Sequence, residues 1–260
     1  MTTQRVAAIQ HDISWENKAA NFHHLEPLIR GAAASGARIV VLSEMFSTGF
    51  SNNTAVTAEP EGGESSRFLG QMATRYGVWV TGSCPEIAAD GSGRGRPHNV
   101  HVLAGPDGTQ HRYRKVHPFT FTREDEYFAA GTRLYTFEIE GLRVSPLVCY
   151  DLRFADEFWQ LARQTDLFIV PANWPEPRRL HWQALLQARA IENQAYVIGC
   201  NRVGEGNGLT YAGDSRIIDP QGELLATAAR TEAILLADIS VETVTQTRDR
   251  FRFLQDRRTG

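Results

Sequence analysis

The chain has 260 residues, 42% of them hydrophobic and 22% charged, with a formal net charge of −3 at pH 7. Such a composition supports a sizeable globular core without metals or disulfides. The mild acidity and the scatter of Lys and Arg exclude a nucleic-acid-binding face, and no apolar stretch approaches the roughly 20 residues of a membrane span.

In chain order, RVAAIQ (5–10) reads as a buried strand, residues 17–34 as a helix ended by Gly36, and ARIVVL (37–42) as a second buried strand. SSRFLGQMATRYG (65–77) fits a capped helix and VWVTGSC (78–84) a third strand, so the opening is β-α-β-α-β with helices covering the strands. DGSGRGRP (90–97) is a loop by its Gly and Pro content. HNVHVLA and QHRYRKV flank a hairpin turn at Asp107-Gly108, and residues 135–149 suggest another hairpin turning near Gly141. DLFIVPANW (166–174) is a buried strand. RLHWQALLQARAIENQAYV (179–197) carries a helical stripe of Leu180, Ala184, Leu185, Ala188, Ile191 and Ala195. The late segments AYVIGC, TYAGDSRIID, GELLATA and AILLADI read as strands, with a turn at 219–222.

Buried runs mixed with hairpins predict a mixed, two-layer β-sheet with helices outside, in one domain spanning residues 1–260. Three cysteines make no disulfide framework and suit a reducing compartment. The opening MTTQRVAAIQ lacks the apolar stretch of a signal peptide, so a soluble cytoplasmic protein is expected. VGEGNG (203–208) does not sit between a strand and a helix, fails as a dinucleotide fingerprint, and reads as a flexible loop. The basic stretch TRDRFRFLQDRR (247–258) reads as a solvated tail or a dimer contact.

Several positions carry possible chemistry. Cys149 follows SPLV and precedes Asp151, a candidate helix N-cap. Backbone N–H groups and a helix dipole there would favour the thiolate; a buried packing cysteine also fits the segment. Cys84 and Cys200 lie in apolar runs and read as packing residues. Glu44 directly follows a buried strand, where open α/β sheets place ligand sites. It could take a proton from a thiol and return it to a leaving amine, or be a solvated loop carboxylate. Lys115 shares a strand face with Tyr113 and could hold an oxyanion, or be one surface cation among several. Glu124, alone, is a solvated charge in REDEYFAAG.

Arg153 lies four residues after Cys149, and its planar fork could bind a carboxylate; pairing with Asp156 or Glu157 is the alternative. Asn173 and Trp174, at the end of a buried strand, would complete a pocket wall, although Trp174 also suits a core. The eight histidines form no metal spacing with cysteine or carboxylate. His117 and His181 could pair with Cys149 in a papain-like dyad.

In order along the chain, VVLSEMFSTGF (40–50), YRKVHPF (113–119) and LVCYDLRF (147–154) resemble the three motifs of the nitrilase superfamily of carbon–nitrogen hydrolases. The resemblance implies a Glu-Lys-Cys triad: Glu44 as general base, Lys115 as oxyanion stabiliser, Cys149 as nucleophile. The backbone N–H of Tyr150 would join Lys115 at the oxyanion. The family's second glutamate matches Glu124, with Asp125 and Glu126 as adjacent alternatives. Residues 171–204 look closest to the omega-amidase branch, which hydrolyses the terminal amide of 2-oxoglutaramate and similar dicarboxylic acid monoamides.

Also implied are an αββα sandwich, dimerised through its helices, a small-molecule amide substrate, no cofactor and no metal. A nitrile hydrolase, a deaminated-glutathione amidase or a carbamoylase would share the triad, and a non-catalytic, thiol-sensing relative is a more distant alternative. The long Gly-rich loop AADGSGRGRPHN (88–99) departs from the tightest family pattern and leaves the pocket rim open to question.

Overall fold

The computed structural model describes residues 3–258, so the ends of the expected 1–260 span lie outside the described residues. Strands β1 (Gln4–Gln10), β2 (Ile39–Val41), β3 (Glu59–Pro60), β4 (Trp79–Ile87), β5 (His98–Ala104) and β6 (Gln110–Arg114) are followed by β7 (Phe137–Ile139), β8 (Leu142–Pro146) and β9 (Leu167–Ala172). Then come β10 (Tyr196–Asn201), β11 (Val203–Gly206), β12 (Leu209–Ile218), β13 (Leu224–Ala229) and β14 (Ala233–Ile239). The helices are α1 (Lys18–Ala34), α2 (Thr54–Thr57), α3 (Glu64–Tyr76), α4 (Glu124–Tyr127), α5 (Ala155–Leu161), α6 (Arg179–Asn193) and α7 (Val241–Arg250).

The strands form two seven-stranded mixed sheets. One runs β14-β1-β2-β4-β5-β6 with β3 beside β4; the other runs β11-β12-β10-β9-β8-β7 with β13 beside β12. Apolar side chains alternate across each sheet, so each has two faces to bury. Ala7, Ile9, Val40 and Val80 face α1 and α3, while Val6, Ala8, Ile39 and Val41 face Ile169, Ile198 and Ile217 of the other sheet. On the far side, Phe168, Val170 and Val197 meet Phe158, Trp182 and Leu186 of α5 and α6. The layers therefore run α-β-β-α, as expected. Cys200 stitches the middle seam, its thiol donating to the carbonyls of Ile9 and Val41. Cys84 packs under α3.

Three local expectations change. VGEGNG is not a flexible loop: Val203–Gly206 pairs with Leu209–Ala212 as a hairpin. The basic tail is not free but anchored on its own chain, although residues 249–253 stay exposed. Arg248 donates to the carbonyls of Ala162, Thr165, Asn193 and Gln194, and Leu254 is buried. The helix at 179–193 presents Trp182, Leu186 and Ala190 inward, not the predicted stripe; Leu180 is 71% and Ile191 45% exposed. The inward face is set by close approach, since a Cβ on Gly199 would lie 2.3 Å from Leu186. Among the described residues no helix is long and apolar enough to cross a membrane.

Candidate active site

The topology gathers the polar residues at one end of the sandwich. β2 runs parallel to β4, β5 antiparallel to β4, and β6 antiparallel to β5. The exit of β2, the entry of β5 and the exit of β6 therefore share one edge, and these carry Glu44, Asn99 and Lys115. In the other sheet β8 and β9 run parallel, and their exits carry Cys149 and Asn173.

Lys115 is fixed by its backbone on both sides: its N–H donates to Asn99 O at 2.9 Å, and its carbonyl accepts from Gly131 N at 2.7 Å. The crossing at Gly131 tolerates no side chain, because a Cβ there would lie 2.0 Å from the Arg114 carbonyl oxygen. The buried ammonium of Lys115 donates to Glu44 Oε1 at 3.0 Å and to Glu124 Oε2 at 2.9 Å. Burial works against that charge, but Glu124 and Glu44 outweigh it and hold the Lys115 pKa above its ordinary value. Glu124 also accepts from Phe119 N at 2.6 Å. Burial raises its pKa, with Lys115 opposing and Glu44 adding. Of the three adjacent acids only Glu124 is inside; Asp125 and Glu126 are exposed, and Glu126 pairs with Arg123 at 2.6 Å.

Glu44 is completely buried and spans the seam between the sheets. Its Oε1 accepts from Lys115 and from Asn99 Nδ2 at 2.8 Å; its Oε2 accepts from Asn173 N at 2.8 Å. Its own carbonyl accepts from Asn173 Nδ2. Asn99 Nδ2 reaches Glu124 Oε1 as well, at 3.2 Å, so one amide bridges both carboxylates. Asn99 was not singled out from the sequence. The available signal was an amide in a fully buried strand, HNVHVLA, since a buried amide demands partners.

Cys149 opens a short 3-10 turn, Cys149–Arg153, in the left-handed region at φ 45°. Met45, after Glu44, and Arg123, before Glu124, are left-handed too, at φ 46° and 62°. Such strain, of the order of 1–3 kcal/mol per residue, persists only where the surroundings impose it. Here Asp151 does so: it accepts from Val148 N at 2.9 Å, Tyr113 OH at 2.8 Å and His117 N at 2.9 Å, tying the Cys149 turn to the Lys115 segment. Asp151 is thus a clamp inside the turn rather than the expected N-cap. Burial pushes its carboxyl up to about 6, although Lys115 and its three donors pull the other way.

The local electrostatics work against the expected preformed thiolate. Burial, and then the Glu44 carboxylate, push the Cys149 thiol well above its ordinary range, with Lys115 opposing. A 3-10 turn supplies little dipole, and the Glu44 carboxylate opposes the thiolate more than Lys115 favours it. These surroundings favour the neutral thiol, with the Glu44 side chain within hydrogen-bonding reach of the sulfur.

Cys149 lines a narrow cleft with Phe119, Tyr150, Arg153, Asn173, Trp174, Pro175 and Arg178. Trp174 serves both expected roles, packing on Trp182 at 5.5 Å and walling the cleft. Arg153 does not pair with Asp156 or Glu157. It lies 4.8 Å over the Trp174 ring and contacts His181 Nδ1 at 3.3 Å. Arg178, unforeseen from the sequence, lies 5.4 Å over Phe119. Neither arginine has a carboxylate partner among the described residues. His117 bonds Glu157 at 2.7 Å, so each histidine of the suggested dyad has its partner elsewhere. Tyr211 joins the surroundings from β12: burial pushes its hydroxyl up to about 12, Arg202 opposes, and Glu44 and Cys149 add. The Gly-rich loop buttresses the Glu124 segment, with Arg96 donating to Asp125 O at 2.7 Å and Ala129 N to Pro97 O at 2.8 Å. Among the described residues no group of three His, Cys, Asp or Glu side chains could hold a metal ion.

Comparison with known proteins places this arrangement in context. The carbon–nitrogen hydrolase family model matches residues 5–249. The omega-amidase YafV of Escherichia coli K12 is 39% identical over 255 residues, covering 97% of this chain and 96% of that protein. The 2-oxoglutaramate amidase of Bacillus subtilis is 31% identical over 256 residues, covering 96% of both. Among solved structures, XC1258 of Xanthomonas campestris, a CN-hydrolase superfamily protein with an arsenic adduct in its active site, superposes with a TM-score of 0.93 at 34% identity, covering 100% of this chain and 99% of that one.

Proposed function

The chain belongs to the carbon–nitrogen hydrolase family, on its omega-amidase branch, and on that premise we propose that it hydrolyses the terminal carboxamide of a small dicarboxylic acid monoamide, of the 2-oxoglutaramate or succinamate type. The observation that supports this substrate class is the pair of arginines without carboxylate partners in the cleft that Cys149 lines. Guanidinium forks suit a carboxylate held at two points.

The steps follow from the electrostatics. The Cys149 sulfur attacks the amide carbon as its proton passes to Glu44. That transfer neutralises the charge that opposed the thiolate, so proton loss and attack assist each other. The oxyanion is held by Lys115 Nζ and by the backbone N–H of Tyr150, which lies in a first turn where N–H groups have no intrahelical partner. Glu44 returns the proton to nitrogen, the C–N bond breaks, and ammonia leaves a thioester. A water, deprotonated by Glu44, then releases the acid and restores the thiol. Glu124 and Asn99 hold Lys115 and Glu44 in place throughout.

Ammonia release from 2-oxoglutaramate, succinamate, glutamine, a neutral amide and a simple nitrile tests the reading. Carboxylated amides are expected to lead, and Cys149→Ala to abolish turnover in a folded protein. Arg153→Lys and Arg178→Gln should raise KM for succinamate about 10-fold or more while sparing the neutral amide, the scale of a lost charge-assisted hydrogen bond. Equal handling of charged and neutral amides by the unaltered enzyme would overturn the substrate class; full activity of Cys149→Ala would overturn the mechanism.

A further inference from the structure

We propose that Asn173 reads the scissile nitrogen: its Oδ1 accepts one N–H of the substrate carboxamide, so that the site takes amides in preference to esters or nitriles. This rests on the amide hydrolysis proposed above and adds the group that recognises the amide as such.

Asn173 is 6% exposed and lines the cleft with Cys149. Its orientation is fixed by its partners. A carbonyl accepts and cannot donate, so the atom facing Glu44 O must be Nδ2, and the other terminal atom is Oδ1. That Oδ1 is buried and has no hydrogen-bond partner among the described residues. A buried acceptor left unpaired costs on the order of 1–3 kcal/mol, and a native site retains one only for a reason.

The reaction geometry says which ligand atom comes near. With the amide carbon at the Cys149 sulfur and the carbonyl oxygen toward Lys115, the nitrogen must face Glu44, which protonates it. Asn173 grips Glu44 twice, through its backbone N–H and through Nδ2, so it is the neighbour of that nitrogen. A primary carboxamide brings two N–H groups. The two Glu44 oxygens already accept three hydrogen bonds from Lys115, Asn99 and Asn173; Asn99 Oδ1 is also buried and unpaired, but of the two amides only Asn173 lines the cleft with Cys149. An ester offers no N–H at the leaving atom, and a nitrile offers none at all; either would keep Oδ1 unpaired. Sites built around a substrate N–H discriminate strongly against analogues lacking it.

The test compares kcat/KM for succinamate and monomethyl succinate in the full-length enzyme. The two share the distal carboxylate and would form the same thioester, so any difference arises before that intermediate. Asn173→Ala should lower the succinamate value about 10- to 100-fold more than the ester value, the range of one or two hydrogen bonds. Asn173→Asp keeps an acceptor oxygen and should preserve the amide-to-ester ratio even where both rates fall. An equal loss on both substrates in Asn173→Ala, as expected if the oxygen holds only water or the residue only props Glu44, overturns the proposal. So does a collapsed ratio in Asn173→Asp. If the unaltered enzyme releases no ammonia from succinamate or 2-oxoglutaramate, the proposed function falls together with this assignment; if it does and the ratio stays fixed, only the assignment of Asn173 falls.

Discussion

At the scale of single residues, the cluster is held by a side chain with no acid–base chemistry of its own. Asn99 donates to both Glu44 and Glu124, and these carboxylates share one ammonium. Replacing it by Ala removes two charge-assisted bonds, each of the order of 1.5–3 kcal/mol, and should lower kcat roughly 10- to 100-fold. Asn99→Asp should be worse by a further factor of about 10 or more, because a third carboxylate would face the same Lys115. Steady-state ammonia release on both variants decides this, and an Asp variant as active as the Ala variant would contradict it. Glu44, Lys115 and Cys149 were legible in the sequence because each follows a strand and their motifs come in a family order. Asn99 and Arg178 were not, since their importance lies in partners from distant segments.

At the scale of elements, the mixed two-layer sheet followed from the apolar runs and hairpin turns, whereas the strand order and the facing of α6 did not. Its chain carries apolar residues on two sides, and periodicity alone favours the wrong one. Trp182 and Leu186 win the inward position because Gly199 lets the helix approach β10 closely. Leu180 and Ile191 are left on the outer side, with Leu224 and Leu225 also exposed. We propose that a second copy of the chain covers that surface, giving the homodimer that the family resemblance implies. Sedimentation should show a dimer at micromolar concentration, and Leu180→Glu with Ile191→Glu should yield monomers; a monomeric parent protein would dismiss the idea. The 3-10 turn at Cys149 was equally hidden, because its left-handed start depends on Asp151 reaching back to Val148 and across to Tyr113 and His117.

For the molecule as a whole, two histidines make the fold sensitive to acid. His101 donates from Nδ1 to Leu147 O at 3.2 Å and accepts from Thr81 Oγ1 at 2.6 Å, linking the sheets. His11 donates from Nδ1 to Asp12 O and accepts from Ser43 Oγ. Burial lowers them to about 3 and about 4, from an ordinary 6.5. The folded chain keeps both neutral while the unfolded chain protonates them near 6.5, so their stabilisation is complete above that pH and fades as pH falls toward 4 and 3. The effect is of the order of 3 kcal/mol for His11 and 5 kcal/mol for His101. Asp151, with its carboxyl raised to about 6, works in the opposite sense between about 6 and 3.8 and offsets part of it. The urea midpoint should therefore hold from pH 8 to 7 and decline between 6.5 and 4, less steeply in His101→Asn. A midpoint level across that interval would refute the account.

His101 grips Leu147 only two residues before the nucleophile, and Cys149 hangs from one sheet while its proton acceptor hangs from the other. Turnover is thus a strain gauge for the seam. In the same acid titration, a slip of the two slabs too slight to unzip any ladder would already separate sulfur from carboxylate, and the enzyme would fall silent while its circular dichroism still looked native.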